Sequence, residues 1–63
     1  MNKYKVESLV NSSEHHEINA DDFRIDHNTI VFYVRVDYGV HNIAAFPANT
    51  YKVLKIDNNE NNR

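Results

Sequence analysis

The side chains of this 63-residue chain that could do chemistry are four histidines, nine carboxylates and four tyrosines, with no cysteine. The densest group is His15-His16-Glu17. Adjacent residues point to opposite faces of a strand and stand ~100° apart on a helix, so His15 and His16 do not converge on one ion. The ligand spacing of a zinc site is also missing, and the group reads as exposed polar residues with no metal. Nucleophilic or acid–base catalysis needs a nucleophile beside a base, or two acids across a cleft. Here Ser12 and Ser13 lie in a turn-forming stretch without a glycine-rich elbow, and Asp21-Asp22 reads as a turn. The single glycine excludes phosphate-cradling loops and dinucleotide fingerprints. A chain this short also lacks the volume to surround a substrate, since pockets typically enclose ~300–1,000 Å³. The expectation is a non-enzymatic protein without cofactor.

Tyr4, Tyr33, Tyr38 and Tyr51, together with Arg35, suit recognition better, because tyrosine and arginine are enriched in interface hot spots. Three of them, Tyr33, Arg35 and Tyr38, lie in Thr29 to Tyr38, TIVFYVRVDY, where Ile30, Phe32, Val34 and Val36 share one parity and Val31, Tyr33, Arg35 and Asp37 the other. A period of two in β-branched and aromatic residues predicts a strand with one fully apolar face. The first set is the expected core face. The second leaves Tyr33 and Arg35 outside it and, with Tyr38 and with His41 across the following hairpin, forms the candidate partner-binding surface. The plainer role for the same residues is cross-strand packing of Tyr33 and a carboxylate partner for Arg35.

The elements that must position this strand follow in chain order. Residues 3–10 read as a first strand with Tyr4, Val6 and Val10 on one parity, and Asn11-Ser12-Ser13 as a reversal. Ser12 to Ala20 holds too little apolar residue for a helix stripe, and a polar second strand is preferred over a short helix capped by Ser12 or Ser13. Phe23-Arg24-Ile25 is a short strand with Phe23 and Ile25 inward, and Asp26-His27-Asn28 is a turn. Gly39 allows the positive φ of a tight hairpin, which places the tip at Asp37 to Val40. On the return arm Ile43 and Ala45 face one way and Ala44 and Phe46 the other, so both faces are apolar and the arm is expected to lie centrally or to cross between layers. Pro47-Ala48-Asn49-Thr50 ends it. Tyr51 to Asp57 is a final strand with Leu54 and Ile56 inward, and residues 58–63 read as a disordered tail.

Five short strands besides the ambiguous Ser12 to Ala20, joined by polar turns, predict one all-β domain over residues 1–57. The antiparallel sheet curls into an SH3-like barrel or a two-layer roll, or carries one short helix if Ser12 to Ala20 is helical. Such a domain buries only ~60% of the surface its unfolded chain exposes, so packing or association must make up for the missing disulfides. The net charge of −2 is spread along the chain. A basic stripe for phosphate is lacking, which argues against nucleic acid, although tyrosines on a sheet are half of a single-strand stacking device. No apolar segment reaches the ~7–15 residues of a signal peptide or the ~20 of a membrane span, and a cytoplasmic location is expected.

The order Asp22-Phe23-Arg24-Ile25, Ile30-Val31-Phe32-Tyr33, Ile43-Ala44-Ala45-Phe46 resembles that of small bacteriophage accessory proteins. These run as a lysine-rich start, a short strand, an apolar-Phe-Tyr strand, an Ala-Ala-Phe strand and a closing aromatic strand. The resemblance spans roughly residues 3–57, carries no catalytic residue, and departs at Pro47 to Tyr51, where a glycine and an aromatic would follow. It implies a phage protein in the host cytoplasm that binds and alters a host protein. Self-association through the same surface is the other form such binding could take.

Overall fold

A computed structural model describes residues 1–56 of the chain. All six of its elements are strands: β1 (Asn2–Ser8), β2 (His15–Ala20), β3 (Asp22–Asp26), β4 (Thr29–Val36), β5 (Gly39–Pro47) and β6 (Tyr51–Ile56). They form two antiparallel three-stranded sheets, ordered β2-β1-β6 and β3-β4-β5. The sheets do not close into a barrel. They lie face to face in a body 13 Å through its thinnest extent, which is what two layers spaced ~10 Å apart require. The expected tail lies outside the described residues.

Ser12 to Ala20 contains no helix, because β2 has a better use for its few apolar residues. Antiparallel to β1, it sets Ile18 opposite Tyr4 and His16 opposite Val6 on the inward face, and turns His15, Glu17 and Asn19 outward. The reversal before it is built from side chains: the Ser8 hydroxyl accepts the Val10 and Asn11 N–H groups, and Asn11 Oδ1 accepts the Ser13 N–H. These bonds end β1 at Ser8, so Val10 does not continue the strand's inward row and stands exposed.

The buried core is Tyr4, Val6 and Ala20 from one sheet and Ile30 and Phe32 from the other. Its aromatic rings pack edge to face and tilted, Tyr4 on Phe23 and on Phe32 at 5.4 Å and Phe46 on Tyr51 at 5.3 Å. Such contacts add to the area they bury. The phenolic oxygen of buried Tyr4 accepts from Asn2 Nδ2 at 3.3 Å.

The inward rows differ from the sequence reading at four places. On β6 the register sets Val53 opposite Val6 and Tyr51 opposite Ser8, so Tyr51 and Val53 face the core while Leu54 lies opposite Lys5 on the outer face. Since side chains alternate with a period of two, that one-residue difference moves Leu54 and Ile56 outward together. On β3 Phe23 packs against the core, but Ile25, near the hairpin end, is 59% exposed. On β4 the core face is Ile30 and Phe32 only: Val34 is half-buried and Val36 is 40% exposed. There β4 and β5 run on as a two-stranded arm, with a bulge that leaves Ile43 unpaired between Phe32 opposite Ala44 and Tyr33 opposite Asn42. Finally, β5 is not central. It is the edge of its sheet.

Two tight hairpins hold β4. Asp26 pairs with Thr29 across His27 and Asn28, both with positive φ, 51° and 63°. Two consecutive left-handed residues make the turn whose twist matches a hairpin's. At the other end Val36 pairs with Gly39 across Asp37 and Tyr38, and Gly39 takes φ +148°.

Candidate functional site

The outer face of the β3-β4-β5 sheet is built by register. Residues directly opposite in an antiparallel pair share a face. Asp22 lies opposite Tyr33 and Arg24 opposite Val31 on β3, while Asn42 lies opposite Tyr33, Val40 opposite Arg35 and Ala45 opposite Val31 on β5. Tyr33 therefore sits at the middle of this face. The Arg24 guanidinium lies 5.7 Å from its ring centroid and that of Arg35 5.9 Å, one from each side along the strand. Both are within the ~6 Å over which a ring attracts a cation. Arg24 Nη1 also donates to Asn42 Oδ1 at 3.3 Å, tying β3 to β5 across the ring.

Asp21, at the corner where the chain passes from one sheet to the other, secures the site from behind. Its N–H donates to the Tyr33 carbonyl at 2.9 Å, and its carboxylate accepts the Arg35 N–H at 2.6 Å. Because β3 begins only at Asp22, this carboxylate continues the hydrogen-bond ladder of β4 by one more rung. The backbone carrying Arg35 is thus held on the side away from β5, where no strand lies beside it.

Of the four residues singled out from the sequence, Tyr33 and Arg35 share this face. Tyr38 occupies the hairpin tip and is 90% exposed. His41 lies opposite Val34, on the other side of the sheet from Tyr33. Arg24 and Asn42 are members the sequence reading missed. Arg24 was within reach of it, because a two-residue turn at His27-Asn28 puts Arg24 opposite Val31 and diagonally beside Tyr33. Asn42 was not, since the bulge at Ile43 changes the face on which it stands.

A second polar cluster caps one end of the core. Tyr51 Oη donates to Glu14 Oε2 at 2.7 Å, and His16 Nε2 lies 3.1 Å from the same oxygen. The hydrogen bond from Tyr51, then that from His16, holds the Glu14 carboxyl below its ordinary value, and the same bond raises Tyr51. The His16 ring packs on Phe46 at 5.4 Å. On the outer face of β1, Glu7 is flanked by Lys5 at 3.2 Å and Lys52 at 3.5 Å and is likewise lowered, chiefly by its bond with Lys5. These groups pair with one another. Among the described residues no set of three histidines and carboxylates is grouped to hold a metal ion, and no helix is long and apolar enough to cross a membrane.

Comparison with protein-family models, with curated proteins and with solved structures gives no match.

Proposed function

We propose that this protein is a non-enzymatic protein-binding module and that its binding surface is the Tyr33 face. The observation that carries the reading is the single tyrosine ring set between two arginines at the centre of a sheet face whose β3 edge also carries Asp22 and Asp26. Tyrosine supplies rigid contact area and arginine forked donors, the combination found at interface hot spots. With Asp22 and Asp26 on the same face, the two guanidinium groups suit a partner of mixed charge. The resemblance to small bacteriophage accessory proteins supports a phage-encoded modulator of a host protein, acting in the host cytoplasm.

The test is affinity capture from the host with wild-type bait against Tyr33→Ala and Arg35→Ala baits, followed by titration of the captured protein. A central hot-spot residue weakens binding by ~2 kcal/mol or more when truncated, about thirtyfold. Equal affinity of the three baits, with circular dichroism unchanged, would defeat the assignment. A second reading has one observation in its favour: a ring between two guanidiniums could stack a nucleobase and neutralise its phosphate. Titration with short oligonucleotides at low salt separates the two, because that reading requires chemical-shift changes at Tyr33 that fade as salt rises.

A further inference from the structure

β5 is the longest strand, nine residues, and it is an edge. Edge strands present unpaired backbone donors and acceptors, and proteins ordinarily guard them with charge. The other three edges are guarded in this way: β2 carries Glu17, β3 carries Asp22, Arg24 and Asp26, and β6 carries Lys52 and Lys55. The β5 sequence, GVHNIAAFP, contains no Asp, Glu, Lys or Arg, and its only guards are Pro47 at one end and the bulge at Ile43. Apart from His41 and Asn42 its side chains are apolar, and Val40 and Ile43 are 53% and 42% exposed.

The backbone directions of this edge follow from the ladder. The Tyr33 carbonyl and Arg35 N–H turn towards Asp21, away from β5. In an antiparallel pair the residues opposite them must also turn their groups outward, so Asn42 and Val40 present N–H and C=O to the open edge. Past the bulge the same alternation, counted from the Asp26–Thr29 pair at the first hairpin, turns Ala45 and Pro47 outward. One antiparallel register between two copies of β5 aligns all four positions, with Pro47 accepting through its carbonyl but having no N–H to donate. Val40 lies opposite Pro47 of the second copy and Asn42 opposite Ala45 of the second copy, and the same holds in reverse. All four residues stand on the Tyr33 face, so the side-chain faces match as well, and the bulges of the two strands meet at the two-fold axis.

We propose that the protein forms a two-fold homodimer by antiparallel pairing of β5 with β5 of a second copy, giving a continuous six-stranded sheet. A second copy is the occupant the edge suits: the strand is its own complement in backbone direction and side-chain face, and self-pairing brings no like charges together. A domain with five buried apolar side chains also gains from association what its thin core lacks. The inference does not rest on the Tyr33 face binding anything, although the dimer would carry two such faces on one side of its sheet.

The test is sedimentation of the full chain over a concentration series, with the apparent mass expected to double. Ala45→Lys and Asn42→Lys place charge at exposed positions of the paired edge and should each return the mass to that of a monomer while leaving circular dichroism unchanged. The double variant Asn42→Cys/Ala45→Cys fixes the register. Hydrogen-bonded antiparallel partners have Cα atoms ~5.5 Å apart, inside the ~4.4–6.8 Å range of disulfides, and oxidation should give a covalent dimer. Asn42→Cys alone should give none: the bulge fits residues 42 to 45 onto two rungs of β4, ~7 Å along the strand, and with the ~5 Å between strands its copies would lie beyond the ~6.8 Å reach of a disulfide. A wild-type monomer at the highest concentration overturns the proposal. So does a dimer that survives both lysine variants and fails to cross-link.

Discussion

At the scale of single residues, the Glu14–His16–Tyr51 cluster makes folding sensitive to pH at both ends of the scale. Glu14 is held below its ordinary carboxyl value, first by the Tyr51 hydroxyl and then by His16. A depressed acid contributes stability that is full above its unfolded value and is lost as pH falls through the lower, folded one. Tyr51 is raised by the same bond, so its contribution is full below the unfolded phenol value and is lost as pH climbs through the raised, folded one. The contact is therefore intact from just above the carboxyl range up to the phenol range. Tyr51→Phe removes the hydroxyl and keeps the ring that packs on Phe46. Carbon-detected titration of the Glu14 carboxyl should then show its midpoint moving up toward that of an ordinary glutamate. A midpoint that stays in place would show that His16, not Tyr51, is the principal partner. The Tyr33 prediction also belongs to this scale, since it asks whether one ring and one guanidinium carry the binding.

At the scale of elements, the strands could be read from the sequence because period two and turn chemistry agree in most of them. Ile30 and Phe32 are in the core, Gly39 opens the hairpin, and Pro47 ends β5. What could not be read is what a strand faces. Val34 and Val36 have the parity and composition of core residues, but burial needs a second sheet beneath them, and the β4–β5 arm has little cover there. Leu54 and Val53 are equally apolar neighbours, and only pairing with Val6 on β1 decides which one turns inward. The first hairpin shows how local chemistry sets register. His27 and Asn28 both hold left-handed backbone, a conformation that costs an ordinary residue ~1 kcal/mol or more and that glycine adopts freely. The carbonyl of Asn28 accepts the Ala48 N–H, so its backbone is needed and its side chain is not. Asn28→Gly should accordingly raise stability by up to ~1 kcal/mol, seen as a higher urea midpoint at unchanged slope. A lower midpoint would mean that the asparagine side chain holds the turn.

For the whole molecule, the two-layer arrangement makes a sharp distinction between side chains that look alike in sequence. Phe32 is fully buried where the sheets meet, in contact with the rings of Tyr4, Phe23 and Phe46. Leu54 is also large and apolar, but it stands on the outer face of the other sheet, beside Lys5. Truncating a buried phenylalanine costs ~3–5 kcal/mol, from lost transfer energy and the cavity left behind. A domain of this length has only about that much stability from a single core, roughly 3–5 kcal/mol. Phe32→Ala should therefore be largely unfolded in water at 25 °C, with its strand signal in circular dichroism lost and no cooperative urea transition. Leu54→Ala gives up only partly buried surface and should keep a cooperative transition with a midpoint near that of the wild type. If both substitutions had the same effect, the core would not lie between these two sheets, and the assignment of Tyr33 and Arg35 to an outer face would fail with it.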